Sequence, residues 1–184
     1  MQLNDDYYNE SENVMLIFSS ALHGKNGSLS AYKLLETTFL VRFDESMPDI
    51  KKTPNGKPYF PERPEVHFSL SHGTTHVLCA LSDTPVGCDI ERISRKISKR
   101  AQEYFCTPAE CEMFDPLDLW VLKESYVKLF GLTFASLKHL RFHKDGTDII
   151  LPNPLVSARL YTIDGCRAGI CSLGELPPDT IKLI

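Results

Sequence analysis

The chain of 184 residues has a single tryptophan and no apolar run of the length that a membrane span requires. It also lacks an excess of basic residues, because 20 Lys and Arg stand against 24 Asp and Glu, for a formal net charge of -4. Affinity for a phosphate backbone comes from clustered Lys and Arg, so this balance argues against a general nucleic-acid binder. We therefore expect neither a membrane nor a nucleic acid as a partner.

The N-terminal residues Met1–Asp6 are polar and acidic and show no basic segment followed by an apolar one, so no signal peptide is expected. The six cysteines, at positions 79, 88, 106, 111, 166 and 171, lie mostly in apolar segments. Without a secretion signal, we interpret all six as free buried thiols in a reducing, cytoplasmic compartment. The length fits one domain or two small ones, and we expect a monomer.

Two common catalytic patterns are incomplete in this chain. There is no Gly-x-Ser-x-Gly elbow, so Ser71 and His72 are not expected to act as a nucleophile and its base. They are instead candidates for contact with a phosphate, and the alternative is a turn held by local hydrogen bonds. Gly56-Lys57-Pro58 lacks the upstream glycine and the following Ser or Thr of a P-loop, so we reject that motif.

The pattern of apolar residues predicts alternating strands and helices. Strands are predicted near residues 14–18, 67–71, 77–81, 86–90, 137–143, 148–151, 156–162 and 167–172. Helices are predicted from Ser28 or Ser30 to about residue 43, over 94–105, from the capping box Thr107-x-x-Glu110, and over 117–130 before Gly131. The proline-rich segment 44–64 is predicted to be loop or extended chain.

Asp89 and Glu91 are separated by one residue at the end of a predicted apolar strand. Residues i and i+2 of a strand share a face, so both carboxylates can aim at one point. A solvated strand edge would give the same spacing. However, Asp89 directly follows the apolar residues 86–88, and a carboxylate in a buried strand needs a partner.

Trp120, Glu124 and Lys128 recur every four residues in a predicted helix and therefore share one helix face. An exposed Glu–Lys pair at this spacing would stabilise the helix by only about 0.2–0.5 kcal/mol. The tryptophan on the same face argues against that alternative, because tryptophan is seldom left in solvent. If this face meets Asp89 and Glu91, three carboxylates can hold Mg²⁺ beside an ammonium group. Such a site suits a metal-bound pyrophosphate and indicates a phosphoryl-type transferase.

Five motifs follow one another along the chain, and their order is informative. They are Gly56-Lys57-Pro58, Phe68–His72, Val86–Glu91, Phe105–Glu110 and Trp120–Lys128. Over about residues 54–163 they resemble the 4′-phosphopantetheinyl transferase family, specifically its Sfp-type (surfactin-synthetase-activating) branch. The Trp-x-x-Lys-Glu-Ser-x-x-Lys block is the most specific of the five, and the Gly-x-Asp-x-Glu block supports it at the right distance.

The resemblance implies an α+β fold of two pseudo-symmetric α/β halves, residues 1–85 and 86–184, with the active site in the cleft between them. Enzymes of this family transfer the 4′-phosphopantetheine group of coenzyme A to a serine of an acyl or peptidyl carrier protein and release 3′,5′-ADP. The implied partners are thus coenzyme A and a carrier protein, which we expect to be acidic. The basic segment Arg92–Arg100 is one candidate for its contact surface.

The same resemblance implies roles for single residues. Asp89, Glu91 and Glu124 would be the Mg²⁺ ligands. Lys128 would contact the phosphate that is transferred, and Glu124 would take the proton from the carrier serine, directly or through a water on the metal.

For coenzyme A, the resemblance places Lys57 and Pro58 beside the adenine. Ser71 and His72 would hold phosphate, with His72 at the 3′-phosphate. Family members usually supply N-terminal Arg or Lys residues for that phosphate. This chain offers only Lys25, Lys33 and Arg42, and none of them stands in clear register.

Two other functions are compatible with parts of this pattern. A non-catalytic module that binds a carrier protein or coenzyme A would be expected to have lost a carboxylate or Lys128, and neither is lost. A metal-dependent nucleotide phosphoesterase would be expected to gather several His and Asp ligands for two metal ions. Of the six histidines, only His72 stands beside the proposed site.

Overall fold

The computed structural model describes residues 14–22, 24 and 26–184. The predictions made above for Met1–Asp6 and Lys25 lie outside these residues. Within the described part of the chain, no helix combines the length and the apolar character needed to cross a membrane.

The described chain is a mixture of α-helices and β-strands, which agrees with an α+β fold. In order, its elements are β1 (Met15–Ala21), α1 (Gly27–Phe43), β2 (Lys51–Lys52), β3 (Pro58–Tyr59), β4 (His67–His72), β5 (His76–Ser82), β6 (Val86–Arg92), α2 (Lys99–Phe105), α3 (Pro108–Met113), α4 (Pro116–Phe130), a 3₁₀ helix (Phe134–His139), β7 (His143–Asp145), β8 (Asp148–Ile150), β9 (Val156–Ile163), β10 (Cys166–Leu173) and β11 (Lys182–Leu183).

Two larger sheets organise the molecule. The first has the strand order β11-β1-β5-β4, and the second has the order β6-β10-β9. Neighbouring strands are antiparallel except β1 and β11, which run parallel. The predicted boundary between the halves near Pro85 falls between the two sheets, in the turn from β5 to β6. The C-terminal strand β11 nevertheless returns to the first sheet.

The two sheets are stacked between helices α1 and α4. Alternate residues of β5 face opposite ways: Leu78 and Ala80 join a core cluster with the second sheet, whereas Val77, Cys79 and Leu81 join a cluster with α1. On its far side, the second sheet contacts α4 through β6 and β10. The order of layers is therefore α1, first sheet, second sheet and α4, with apolar cores at each contact.

Several element boundaries differ from the prediction. Helix α1 is capped by the Asn26 side chain, which accepts the Leu29 N–H at 3.0 Å, rather than by Ser28 or Ser30. Helix α2 begins only at Lys99, after the cap residue Ser98, because residues 93–98 turn before entering the helix. The capping box at Thr107 and Glu110 and the helix end at Gly131 are confirmed.

The strand predicted near residues 137–143 is wrong for most of its length. Residues Phe134–His139 form a 3₁₀ helix, and only His143 belongs to a strand. The physical reason is contact with α4. The fully buried Lys123 ammonium donates a hydrogen bond to the Leu140 carbonyl oxygen at 2.9 Å, and Leu137 is buried in the same core cluster as Leu140. Tertiary contacts thus override the alternating pattern of this segment.

The interpretation of all six cysteines as free thiols is also wrong for one pair. Cys106 and Cys111 form a disulfide with a Cα–Cα distance of 6.1 Å, because the short turn between α2 and α3 brings them within bonding range. The other four cysteines are free and buried, as expected.

Candidate active site

Two glycines let helix α4 lie directly on the second sheet. A Cβ atom at Gly87 would stand 2.0 Å from the Ser125 carbonyl oxygen, and one at Gly169 would stand 2.9 Å from the Val121 carbonyl oxygen. Any side chain at these positions would therefore push the helix away. Gly169 is the cross-strand partner of Asp89. The close approach consequently brings the Asp89 carboxylate under the polar row of α4.

Asp89 is buried between two partners, one ammonium group and one hydroxyl group. One carboxylate oxygen, Oδ1, lies 2.7 Å from the Lys128 ammonium and accepts the Ser71 hydroxyl at 2.7 Å. The other oxygen, Oδ2, is buried and has no hydrogen-bond partner among the described residues. A buried carboxylate oxygen without a partner is costly unless a further ligand satisfies it.

Serines on β4 explain why that strand adjoins Asp89. β4 and β6 are edge strands of different sheets, and their backbones are joined through side chains. The Ser69 hydroxyl accepts the Cys88 N–H at 3.0 Å, and the Ser71 hydroxyl accepts the Ile90 N–H at 3.3 Å. Ser71 therefore positions both the strand and the carboxylate of Asp89.

The charges of Lys128 and Glu124 are shaped by this buried setting. Burial works against the Lys128 charge, but Asp89 and Glu124 outweigh it, so the pKa of Lys128 lies above its ordinary value. Burial and the neighbouring Asp89 raise the pKa of Glu124, although Lys128 and Arg95 oppose this shift. Glu124 thus lies within electrostatic range of Asp89 and holds a proton more readily than an exposed glutamate.

Glu91 already has a protein partner. It forms an ion pair with Arg95, and the Arg95 guanidinium also lies 4.9 Å from the centre of the Trp120 ring. The Trp120 ring itself is partly buried against Phe105, with ring centres 5.2 Å apart. Arg95 therefore contacts both Glu91 on β6 and Trp120 on α4.

The donor set fits a hard divalent cation, but the metal assignment stays a prediction. Across residues 14–22, 24 and 26–184, no group of three or more His, Cys, Asp or Glu side chains is arranged to hold a metal ion. Lys128 and Arg95 instead engage Asp89 and Glu91. In favour of Mg²⁺ are the oxygen donors and the unpartnered Oδ2 atom of Asp89.

A cavity of about 430 Å³ opens beside Asp89 and Lys128. Residues predicted for coenzyme A or catalysis that line it are Lys57, Pro58, Ser71, His72, Asp89 and Lys128. Glu91 and Glu124 are not among the lining residues. The structure therefore brings six of the eight predicted residues to one cavity; of the other two, Glu91 pairs with Arg95, and Glu124 lies within electrostatic range of Asp89, Lys128 and Arg95.

Lys57 joins the loop before β3 to the end of α4. Its ammonium donates to the Leu129 carbonyl oxygen, and its side-chain carbons lie within 3.4–4.0 Å of a Cβ built at Gly131. Burial lowers the pKa of Lys57 to about 8, against the effect of the neighbouring Cys88. The lysine at the wall of the cavity therefore gives up its proton more readily than an exposed lysine.

The N-terminal side of the cavity holds a basic residue that the sequence reasoning missed. Lys52 lines the cavity, whereas Lys33 and Arg42 do not, and Arg42 is paired with Asp83 at 2.8 Å. His72 lies against the start of α1, where a Cβ at Gly27 would be 2.7 Å from its ring. Lys52 stands two residues before the Pro-Asn-Gly-Lys segment, and this proximity in sequence was the available signal.

Lys123 has a structural position, which sequence spacing alone did not assign. Its ammonium is fully buried and reaches Glu110 at 2.8 Å and the carbonyl oxygens of Phe105 and Leu140. Glu110 completes the set by accepting the Thr107 N–H at 2.9 Å. This ion pair fastens α2, α3 and the 3₁₀ helix to α4 and lies apart from the cavity lining.

Comparison with known proteins agrees with these features. A model of the 4′-phosphopantetheinyl transferase superfamily matches residues 85–153. The chain is 28% identical over 138 residues to the 4′-phosphopantetheinyl transferase gsp of Aneurinibacillus migulanus, a match that covers 67% of this chain and 57% of that protein. It is 33% identical over 146 residues to the 4′-phosphopantetheinyl transferase Sfp of Bacillus subtilis (strain 168), with 70% and 65% covered.

The chain is also 30% identical over 146 residues to the 4′-phosphopantetheinyl transferase ffp of Bacillus subtilis, and this match covers 70% of this chain and 65% of that protein. The chain thus spans less than two thirds of the length of each of these relatives. The superfamily match includes Asp89, Glu91, Glu124 and Lys128. The resemblance of the sequence motifs is confirmed: the chain is a relative of the Sfp-type 4′-phosphopantetheinyl transferases.

Proposed function

We propose that this chain transfers the 4′-phosphopantetheine group of coenzyme A to a serine of an acyl or peptidyl carrier protein, with Mg²⁺, and releases 3′,5′-ADP. The observation that carries the proposal is the Asp89–Lys128 pair at 2.7 Å beside the cavity, with Glu124 in electrostatic range. The similar bacterial proteins are named 4′-phosphopantetheinyl transferases, which supports the same reaction.

We place coenzyme A in the 430 Å³ cavity, between two pseudo-symmetric halves of the chain. Lys57 and Pro58 would lie by the adenine, as the resemblance implies. His72 lies near the start of α1, and we place the 3′-phosphate beside it, with Lys52 as a further basic residue that lines the cavity. Because Lys57 is cationic below its pKa of about 8, it adds charge that favours a polyanionic ligand.

The reaction has a simple balance of bonds. The carrier serine oxygen forms a bond to the phosphorus that bears pantetheine, and the bond from that phosphorus to the oxygen of 3′,5′-ADP breaks. Glu124 takes the proton of the serine hydroxyl, and its raised pKa brings its basicity closer to that task. Lys128, held by Asp89, neutralises charge on the transferred phosphate.

A divalent cation would be held by Asp89 Oδ2, Glu91 and Glu124. When bound, it would supply neutralisation of the charge that develops on the pyrophosphate. The protein prepares for this with a buried carboxylate whose second oxygen lacks a partner in the described residues. Ser71 keeps the first oxygen oriented through its hydrogen bond of 2.7 Å.

The carrier protein is expected to be acidic and to meet the basic segment Arg92–Arg100, whose residues other than Ile97 are exposed. Electrostatic complementarity of this kind speeds association more than it adds affinity. We further propose that the protein acts as a monomer in the cytoplasm. The four buried free cysteines suit a reducing compartment, whereas the Cys106–Cys111 disulfide is of a kind more common in oxidising ones.

The test is to incubate the protein with coenzyme A, Mg²⁺ and an apo carrier protein and to weigh the carrier by mass spectrometry. A mass gain of one phosphopantetheine, matched by release of 3′,5′-ADP, is the expected result. Retained coenzyme A binding without a mass gain would favour a non-catalytic module. Free phosphopantetheine without carrier modification would favour a phosphoesterase. Either of the last two outcomes contradicts the proposal.

A further inference from the structure

Arg95 contacts both elements of the proposed metal site. Its guanidinium pairs with Glu91 on β6 and lies 4.9 Å from the centre of the Trp120 ring on α4. Its positive charge also acts on Glu124, where it lowers the pKa and so opposes the rise caused by burial and Asp89. Glu91 itself is only 17% exposed at its side chain, whereas Arg95 is 39% exposed. The pair therefore has a sheltered anion and a cation that solvent reaches.

A divalent cation, Arg95 and Lys128 together would overcompensate the negative charge of the carboxylates around Asp89. Three carboxylates, Asp89, Glu91 and Glu124, face two protein cations, Lys128 and Arg95. A divalent ion together with Lys128 balances three negative charges. With Arg95 still on Glu91, the same ion would leave one excess positive charge and would find one of its three ligands engaged. Arg95 and the metal thus compete for the Glu91 carboxylate.

The backbone around Arg95 suits a side chain that changes partner. Arg95 lies in the turn between β6 and α2, where its N–H donates to the Arg92 carbonyl at 2.8 Å. Helix α2 starts only after Ser98, so the arginine is on neither a strand nor a helix. The Trp120 face gives the guanidinium a second place to rest, because cation–π contact stabilises an arginine that has lost its carboxylate.

We propose that Arg95 is a positioning residue that holds Glu91 until a divalent cation displaces it, with Trp120 retaining the released guanidinium. The inference rests on the proposed function only for the identity of the metal ligands. Arg95 is not one of the eight site residues that the family resemblance implies. In the described residues, Arg95 pairs with Glu91 and acts on the charge of Glu124, so it stands between two of the three proposed ligands.

Trp120 makes this proposal measurable, because it is the only tryptophan in the chain. The experiment titrates the protein with Mg²⁺ alone and follows tryptophan emission and heat of binding in parallel. In the unaltered protein, the guanidinium released from Glu91 should settle more closely on the Trp120 ring, so Mg²⁺ binding should change the emission. In Arg95→Ala, Mg²⁺ should bind about two- to fivefold more tightly, the effect of removing a partly exposed ion pair, and the emission change should be lost.

Arg92→Ala is the matched control. It removes the same charge three residues away, from an exposed residue, and separates general electrostatics from competition for Glu91. Arg92→Ala should keep the emission change and shift the Mg²⁺ dissociation constant by less than about twofold. Arg95→Lys, which keeps the charge but cannot cover the ring in the same way, should bind Mg²⁺ with intermediate affinity.

Three outcomes would overturn the proposal. They are unchanged or weaker Mg²⁺ binding by Arg95→Ala, equal tightening by Arg92→Ala, and a tryptophan emission that Mg²⁺ does not alter in the unaltered protein. The titration contains neither coenzyme A nor a carrier protein. Its failure would therefore leave the transfer assay untouched, and a failed transfer assay would not change the competition measured here.

Discussion

Lys123 and Glu124 are neighbours in sequence, but their side chains lie in different parts of the molecule. Lys123 is completely buried and ends 2.8 Å from Glu110, whereas Glu124 lies on the face of α4 that carries Lys128 and adjoins Asp89. A rotation of about 100° around the helix axis thus separates a structural lysine from a catalytic candidate.

This separation predicts opposite effects for two lysine substitutions. Lys123→Ala leaves the buried Glu110 carboxylate without its cation, so the free energy of unfolding should fall by about 3–5 kcal/mol. Lys128→Met should lower the rate of carrier modification by at least about 100-fold with a smaller loss of stability, because the Lys128 side chain is 31% exposed and Asp89 keeps the hydrogen bond from Ser71. Urea unfolding and the carrier mass assay measure the two quantities. Equal destabilisation by both substitutions would contradict the division of roles.

Glu124→Gln should abolish transfer while leaving the fold intact. Loss of the general base lowers the rate by about 10²–10⁴-fold. Burial and Asp89 raise the pKa of Glu124 in the folded protein, so its stabilising contribution is present at low pH and is lost as pH rises through that raised pKa. The variant should therefore be at least as stable as the original protein at pH 8, and the difference should shrink toward pH 4.

The measurements for Glu124→Gln are urea unfolding at both pH values and the initial rate of carrier modification. Asp118→Asn is a matched control, because it alters an acidic residue of the same helix that pairs with Arg167 at 2.6 Å. It lies outside the cavity lining and should retain transfer. Substantial remaining activity in Glu124→Gln would remove the residue from its assigned role.

Gly87→Ala should disturb the site without changing any charged residue. The added Cβ would meet the Ser125 carbonyl oxygen at 2.0 Å and the Leu129 nitrogen at 2.5 Å, and both are backbone atoms that cannot rotate away. We expect a loss of about 3 kcal/mol or more in unfolding free energy. Gly73→Ala is the control, because its Cβ would lie 3.2 Å from the Ile90 carbonyl oxygen. Equal stability of the two variants would exclude the close approach of α4.

Coenzyme A binding should weaken as pH rises through about 8. The Lys57 side chain lines the cavity, and burial lowers its pKa to about 8, so it carries its charge below that pH and loses it above. Isothermal titration at pH 7 and pH 9 should show about three- to tenfold weaker binding at the higher pH. Lys57→Met should bind more weakly at pH 7 and lose this dependence. Lys33→Met, outside the cavity lining, should keep it.

The candidate site could be predicted from the sequence because its spacing is local. Asp89 and Glu91 needed only the period of a strand, and Glu124 and Lys128 needed only the period of a helix. The meeting of these two faces depends on Gly87 and Gly169, which act across the sheet–helix contact. Gly87 stands in the recognised motif, but Gly169 lies far along the chain, and nothing in its local sequence indicates that role.

The errors came from contacts that sequence periodicity does not report. The segment 137–143 alternates like a strand, yet the buried Lys123 and Leu137 fix it as a 3₁₀ helix followed by a short extended stretch. Arg95 belongs to a basic run that is typical of a solvated helix face, and only the structure shows it on Glu91 and Trp120. Cys106 and Cys111 are joined by a turn whose geometry depends on the boundary between two helices.

A crystal structure of the protein with coenzyme A and Mn²⁺ would test the central claim most directly, since the anomalous signal of manganese locates the ion. We predict one ion bound to Asp89 Oδ2, Glu91 and Glu124, with Arg95 displaced from Glu91 and the pyrophosphate beside Lys128. An ion bound elsewhere, or coenzyme A bound outside the cavity lined by Lys57 and His72, would contradict this account.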